Sequence, residues 1–231
     1  MQSTRYTIFF ASIACIILGV LLSTTYMSLK DLQELNRSLD KKKNILVAAG
    51  FNPKSSSDIE QLFENRIEQL VIKADGSMVL NKLLQKPAEN ELFPLFRVMN
   101  CDNVKLTESF VYPVTAKGLW STIYGYLAVS FNGKEVKGIT FYKHGETPGL
   151  GAEVEKAWFR KNFIGKKLYR GNNLIGIEVV KGRVIDHAEY KTNSQHMVDG
   201  ISGATLTCNG ISKMTKIIPR RYSLFFNNVK G

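Results

Sequence analysis

The chain reads as an α+β protein: a single N-terminal transmembrane helix followed by one α+β domain. Three observations carry this. Tyr6 to Leu29 holds no charged side chain over about 24 residues, long enough to cross a bilayer as a tilted helix. Further along, runs of β-branched and aromatic residues alternate with helix-like stretches. The whole chain has 231 residues, 44 % hydrophobic and 22 % charged, which suits one packed domain with an appendage and excludes wholesale disorder. The organisation that follows is 1–29 for the N-terminal tail and anchor, 30–45 for a helical stalk, and 46–231 for the domain.

A cleaved signal peptide would have a shorter apolar run ending at a small-residue cleavage site. Ser23-Thr24-Thr25-Tyr26-Met27 shows no such pattern, so a retained anchor is expected. Arg5 and the amino terminus flank one side of it, and Lys30, Arg37 and Lys41 to Lys43 the other. Counted literally, these charges put the domain in the cytoplasm, but the rule weakens when a long domain is translocated. Leu29, Leu32, Leu35 and Leu39 continue a helical stripe, so the helix is expected to leave the bilayer as a stalk.

In the domain, Ile45 to Phe51 and Ser57 to Gln69 suggest short helices, with a capping start at Asp58 to Gln61. Ser109 to Val114 reads as a strand. Leu119 to Phe131 reads as another, Asn132-Gly133 as a hairpin turn and Val136 to Lys143 as the returning strand. Glu153 to Phe163 reads as a helix with Trp158 and Phe159 on its apolar side. Leu174 to Val180 and Gly182 to Tyr190 look like a strand pair, and Ser202 to Ile218 like a helix that Pro219 ends.

The formal net charge is +11, spread along the chain and densest at Lys41 to Lys43 and Arg160 to Arg170. A solvated basic surface is the plain reading, and an obligate membrane anchor fits poorly with a nucleic-acid partner. Cys15 lies in the apolar segment, so Cys101 and Cys208 leave room for one disulfide and exclude a disulfide scaffold. His144, His187 and His196 show no metal-ligand spacing, and no metal site is expected.

The most informative stretch is Asp199-Gly200-Ile201-Ser202-Gly203-Ala204-Thr205-Leu206-Thr207. A turn at Asp199-Gly200 is expected to lead into a helix with Ser202 as N-cap. Gly203 and Ala204 leave the backbone open, and free N–H groups at a helix start favour a phosphate. A threonine hydroxyl in that first turn would sit beside it. A capped helix with small packing residues is the alternative on local pattern alone.

The D-G-x-S-G-A-T-x-T pattern resembles the flavinylation motif of FMN-binding domains, in which a flavin transferase joins FMN to a threonine through a phosphoester. Asp199, Ser202, Gly203, Ala204, Thr205 and Thr207 all fit it. Lys117-Gly118-Leu119-Trp120, Gly145-Glu146-Thr147-Pro148-Gly149-Leu150-Gly151 and Phe163-Ile164-Gly165-Lys166-Lys167-Leu168-Tyr169 are similar to segments of the C-subunit family of Na+-translocating NADH:quinone reductases.

The resemblance implies an FMN-binding α+β domain with covalent FMN on Thr205, Thr207 being the nearby alternative. It implies an electron relay without catalytic residues of its own, inside a complex that oxidises NADH, reduces quinone and exports Na+. Partners would be the other subunits, a flavin transferase and membrane lipid. The place would be the bacterial inner membrane, single-pass, with the flavin domain on the periplasmic side, against the flank-charge count. The Gly145 to Gly151 loop, on its residues alone a plain turn between strand and helix, can on this resemblance lie flat beside the flavin ring, with Pro148 fixing a turn and Gly149 and Gly151 permitting positive φ or close approach. Leu150 would cover the ring, and Glu146 and Thr147 would hydrogen-bond it or its ribityl chain. Trp120 is a candidate ring wall or a core residue. Lys181-Gly182 and Lys166-Lys167 are candidate phosphate neighbours. The alternatives are the G subunit of the Rnf ferredoxin–NAD+ oxidoreductase complex, which shares anchor, domain and motif, and a cofactor-free membrane-anchored binding module.

Overall fold

A computed structural model of the chain describes residues 4–80, 92–100 and 106–229. The segments expected to be anchor and stalk lie in one helix, α1 (Thr4–Ala48), of 45 residues. Its most apolar 18-residue window has a mean hydropathy of 2.3 and no buried share, so it is long and apolar enough to cross a membrane and unlike the core helix of a soluble protein. The hydroxyls of Ser12, Thr24, Thr25 and Ser28 donate to carbonyls four residues earlier, which satisfies them without water. The chain divides into two compact units, Met1–Lys41 and Lys42–Gly231. The separate helix expected at Ile45 to Phe51 is instead the end of α1. Gly50 (φ 96°) closes it with a pair of bonds, Gly50 N–H to Val47 C=O and Phe51 N–H to Leu46 C=O.

Helix α2 (Ser56–Arg66) starts at Ser55, whose hydroxyl accepts the Asp58 N–H at 3.1 Å. It stops earlier than expected because Ile67 to Gln69 open the first strand. Six strands form an antiparallel sheet: β1 (Ile67–Lys73), β2 (Met78–Leu80), β3 (Leu92–Met99), β4 (Thr107–Lys117), β5 (Thr122–Ser130) and β6 (Val136–Lys143), in the order β2-β1-β3-β4-β5-β6. The sequence pattern predicts β4, β5 and β6 but not β1 to β3. It also runs β5 too far back: β4 and β5 pair up to Lys117↔Thr122, so Gly118 to Ser121 is the turn between them.

Both faces of the sheet are covered. On one, Phe110, Tyr112, Val114 and Ala116 alternate inward from β4 and meet Ile123, Leu127 and Val129 of β5. On the other, Ile45, Leu46 and Ala48 of α1 and Ile59 and Phe63 of α2 are buried, and the Thr140 hydroxyl donates to the Asn44 carbonyl at 3.2 Å.

After β6 the chain is irregular. The helix expected over Glu153 to Phe163 is two pieces, a 3-10 turn (Gly151–Glu155) and α3 (Ala157–Lys161), parted by extended Lys156 (φ −71°, ψ 145°). The two aromatics that the sequence placed on one apolar side both lie in α3, but only one of them turns into the core. Phe159 is fully buried beside Phe141 and Phe163, whereas Trp158 is 47 % exposed and donates to Glu153. Three two-residue strands follow: β7 (Tyr169–Arg170), β8 (Asn173–Leu174) and β9 (Glu178–Val179). The strand pair expected from Leu174 to Tyr190 does not form. Gly182 (φ 80°) turns the chain into a 3-10 turn (Val184–Asp186), followed by α4 (Tyr190–Asn193), and β9 pairs in parallel with β10 (Met197–Val198). Helix α5 (Thr205–Ile217) packs on β4. Pro219 ends it as expected but opens a further 3-10 turn (Ile218–Tyr222) and α6 (Ser223–Asn228).

Candidate functional site

The Asp199 to Thr207 segment runs from β10 into α5, and each position has a physical reason. Asp199 Oδ1 accepts the Val184 N–H at 2.7 Å and so pins the Lys181 to Val184 turn. Gly200 passes so close to the Val180 carbonyl that a side chain there would collide with it. The turn falls at Ser202-Gly203, not at Asp199-Gly200, and closes with Ala204 N–H to Ile201 C=O at 3.2 Å. Gly203 has φ 74° and lies against Leu150, where a Cβ would stand 2.7 Å from the Leu150 Cδ2.

The N-cap of α5 is therefore Ala204 and not Ser202, and no side chain caps the helix. Helix geometry leaves the N–H groups of Thr205, Leu206 and Thr207 without an acceptor inside the helix; the first intrahelical bond runs from Cys208 N–H to Ala204 C=O. Ser202, Gly203 and Thr205 are exposed. They line a cleft of about 590 Å3 whose other wall is Val180, Lys181, Gly182, Arg183 and His187.

The two threonines of the motif have opposite surroundings. Thr205 faces the cleft, whereas Thr207 is 1 % exposed and its hydroxyl donates to Glu146 Oε2 at 2.6 Å. Glu146 is itself 6 % exposed and has no cationic partner among the described residues. Its Oε2 also accepts the Leu119 N–H at 3.1 Å, and its Oε1 accepts the N–H groups of Trp120 at 3.0 Å and Ser121 at 3.2 Å. Four donors match the four acceptor positions of a carboxylate. Burial alone raises its pKa, and this is the largest single influence. The bonds from Thr207 and from the three backbone N–H groups together outweigh it and hold the carboxyl below its ordinary value.

The loop carrying Glu146 is built around that carboxylate. Gly151 has no room for a side chain, since a Cβ would stand 2.6 Å from Glu146 Oε2 and 2.9 Å from the Thr207 hydroxyl. Gly118 is equally tight, with a Cβ 2.7 Å from Glu146 Cδ. Gly149 adopts φ 75°, and the Thr147 carbonyl accepts the N–H groups of Leu150 and Ala152 at 3.1 Å each. The Gly145 N–H donates to Ser121 Oγ at 2.6 Å.

The structure thus brings Ser202, Gly203, Ala204, Thr205 and Thr207 together with Glu146, Leu150 and the Trp120 turn. Trp120 is not a core residue of a strand; it is 70 % exposed on the turn after β4. Thr147 and Gly149 lie exposed on the outer side of the loop. Lys166 sits apart from the cleft lining: it donates to the Ser194 carbonyl at 2.7 Å, and burial lowers its pKa against the opposing pull of Asp199. The sequence pattern does not reveal Gly118 and Ser121 as parts of one carboxylate cradle, nor Arg183 and His187 in the cleft. These contacts join residues 15 to 61 positions apart, which no local pattern signals.

Comparison with known proteins fits this geometry. The FMN-binding domain family matches residues 118–218, from the glycine under Glu146 to the end of α5. The Na(+)-translocating NADH-quinone reductase C subunit of Vibrio anguillarum is 36 % identical over 91 % of this chain and 88 % of its own length. The chain belongs to this C-subunit family. The C subunit of Pseudomonas aeruginosa is 32 % identical over 92 % of this chain and 90 % of its own. Among solved structures, the C subunit from Parabacteroides distasonis superposes with a TM-score of 0.72 at 30 % identity, covering 86 % of this chain and 96 % of that one. Shewanella oneidensis NqrC gives 0.70 at 27 % identity, covering 84 % and 99 %. The α+β domain that follows the long N-terminal helix matches these NqrC structures.

Proposed function

We propose that this NqrC-family protein carries FMN joined through its phosphate to Thr205 and relays electrons within a Na+-translocating NADH-quinone reductase. One contrast carries the reading: of the two motif threonines, Thr205 stands free in the cleft, while the hydroxyl of Thr207 is buried and committed to Glu146.

The residues present suit a flavin nucleotide. Three N–H groups at the start of a 13-residue helix, with the positive end of its dipole, favour a phosphate ester. Lys181 in the facing wall adds positive charge, Arg183 beside it being paired with the Asp186 carboxylate, and Ser202 adds a hydroxyl. The exposed side chains Trp120, Leu119, Leu150 and Leu206, at 70, 51, 43 and 58 %, are of the class that flanks an isoalloxazine ring. Thr147 and Gly149 offer polar and backbone contacts from the loop. Asp199 and Glu146 serve differently from the direct binding expected of them, since each carboxylate holds protein backbone in place.

When bound, FMN supplies one- and two-electron transfer, and the protein supplies position and exposure. Thr205 contributes the ester oxygen by displacing a leaving group already on the donor's phosphorus, its hydroxyl proton being released. The donor class is a flavin dinucleotide, and a separate flavin transferase performs the transfer. The tether keeps the cofactor on a protein whose partners are the other members of the complex. α1 holds it in the inner membrane with lipid around its apolar stretch. The flavin domain lies on the periplasmic side, where Na+ export coupled to NADH oxidation and quinone reduction delivers its ion.

Coexpression of the full chain with a flavin transferase, followed by intact-mass analysis, tests attachment. The wild type gains one FMN moiety and Thr205→Ala gains none. A colourless, unmodified wild type in transferase-competent cells would overturn the reading. A C-terminal reporter tests the side of the membrane, and strong activity confined to the cytoplasm would defeat the periplasmic placement.

A further inference from the structure

Three separate segments converge on one buried carboxylate. The turn Gly118 to Ser121 gives three consecutive N–H groups, the loop Gly145 to Gly151 gives Glu146 itself, and α5 gives the Thr207 hydroxyl. The loop is held from behind as well: the Glu146 N–H donates to His144 Nδ1 at 3.3 Å, and His144 Nε2 stands 3.4 Å from Glu155 Oε2. Burying a carboxylate without a cation is costly unless every lone pair is filled, and here every one is. Such a group is tolerant of no change in its surroundings, so it fixes what it touches.

We infer that Glu146 is the positioning residue for flavin attachment: it locks the first turn of α5, through Thr207, to the Trp120 turn, and so presents Thr205 outward without touching the cofactor. The inference rests on the reading of Thr205 as the attachment point. Thr207 is the third residue of the helix and Thr205 the first, so a bond on Thr207 fixes the rotation of the turn that carries Thr205. The same carboxylate orients the backbone of Trp120, whose ring then projects into solvent from a rigid turn. The second threonine of the motif is, on this account, an alignment residue rather than a reserve acceptor.

Two substitutions act on the latch from opposite ends. In Glu146→Gln, one acceptor oxygen becomes an amide donor that faces the N–H of Leu119 or of Trp120 and Ser121. In Thr207→Val the shape is kept and the hydroxyl removed, whereas Thr207→Ser keeps it. The assay follows the rate at which the full-length chain, in detergent, gains one FMN from a flavin dinucleotide and a flavin transferase. It then records the visible circular dichroism of the flavin on chains modified to completion.

Glu146→Gln and Thr207→Val are expected to slow attachment by about tenfold or more, because loss of a buried charge-assisted bond displaces the acceptor. Both are expected to change the flavin circular dichroism, while Thr207→Ser restores rate and spectrum. If Glu146→Gln does not fold, the Thr207→Val and Thr207→Ser pair decides alone. Attachment at the wild-type rate with an unchanged spectrum in Thr207→Val would overturn the inference, as would failure of Thr207→Ser to restore them. Absence of any FMN on the wild type would instead overturn the attachment reading itself.

Discussion

Gly151→Ala isolates the packing around Glu146 from any effect of backbone conformation, because Gly151 does not have the positive φ that disfavours alanine. The added Cβ would stand 2.6 Å from Glu146 Oε2, 2.9 Å from Glu146 Cβ and 2.9 Å from the Thr207 hydroxyl, against ordinary contact from 3.4 Å. Relief requires a displacement of about 0.8 Å, and overpacking of this kind costs about 1–3 kcal/mol. The same displacement is enough to break a bond to Oε2, from Thr207 at 2.6 Å or from Leu119 at 3.1 Å. A lost hydrogen bond to a charged group adds about 1.5–3 kcal/mol, and since the shift that breaks it also relieves the overlap, the total is about 2–4 kcal/mol. For a domain of this size that lowers the melting temperature by roughly 5–15 °C. The assay is thermal unfolding of the full chain followed by tryptophan fluorescence. Gly145→Ala is the control: its Cβ meets only Ser121, nearest at 3.3 Å, and the cost is expected within about 1 kcal/mol. Equal melting temperatures for the two variants would refute the packing account.

Further outcomes follow from the same structure. Because the folded pKa of Glu146 lies below its ordinary 4.5, the stability its charge contributes is present above pH 4.5 and is lost as pH falls through the lower folded value. Unfolding free energy measured against pH should therefore show the gap between wild type and Glu146→Gln closing on the acid side, and a constant gap would contradict it. Phe159→Ala should cost about 3–5 kcal/mol in denaturant titration and Trp158→Ala less than about 1 kcal/mol, because only the first is buried. Burial raises the Cys208 thiol pKa, so mass-mapped maleimide labelling should leave it unmodified in the folded chain and label it promptly on denaturation.

Periodicity and turn chemistry made much of this fold legible. The charge-free run gave α1, the hairpin signal at Asn132-Gly133 gave the β5–β6 turn, where Asn132 Oδ1 accepts the Lys134 N–H, and Val136 to Lys143 matched β6 in full. Strands β1 and β3 escaped because Ile67 to Lys73 continues a helical run without a break, and Pro94 interrupts β3, where it pairs with Val71. The segment 182–190 has strand-like residues, yet Asp199 captures its Val184 N–H from 15 positions away and the chain turns instead. Cys101, half of the one disulfide the sequence leaves room for, lies outside the described residues. In the site, the motif located the helix start, but the difference between Thr205 and Thr207 depends on Glu146, 61 residues before Thr207. The side of a helix that a hydroxyl faces is set by packing, which the motif alone does not contain.

The segments that carry the family resemblance are, in large part, the segments that build the Glu146 cradle, and this coupling can be measured. Gly118→Ala puts a Cβ 2.7 Å from Glu146 Cδ and closer still to Oε1, but only 3.0 Å from the Ser121 carbonyl. Glu146→Ala removes both nearer atoms and leaves three backbone N–H groups and one hydroxyl unpaired. If Gly118 is required because of the carboxylate, its substitution costs less once the carboxylate is gone. The double variant is then more stable than the sum of the single losses predicts, by about 1–3 kcal/mol. If instead Gly118 serves the turn alone, the two losses add, because the turn is the same in both backgrounds. Additivity within about 0.5 kcal/mol, the scatter of independent sites, would show that the glycine and the glutamate are not parts of one device.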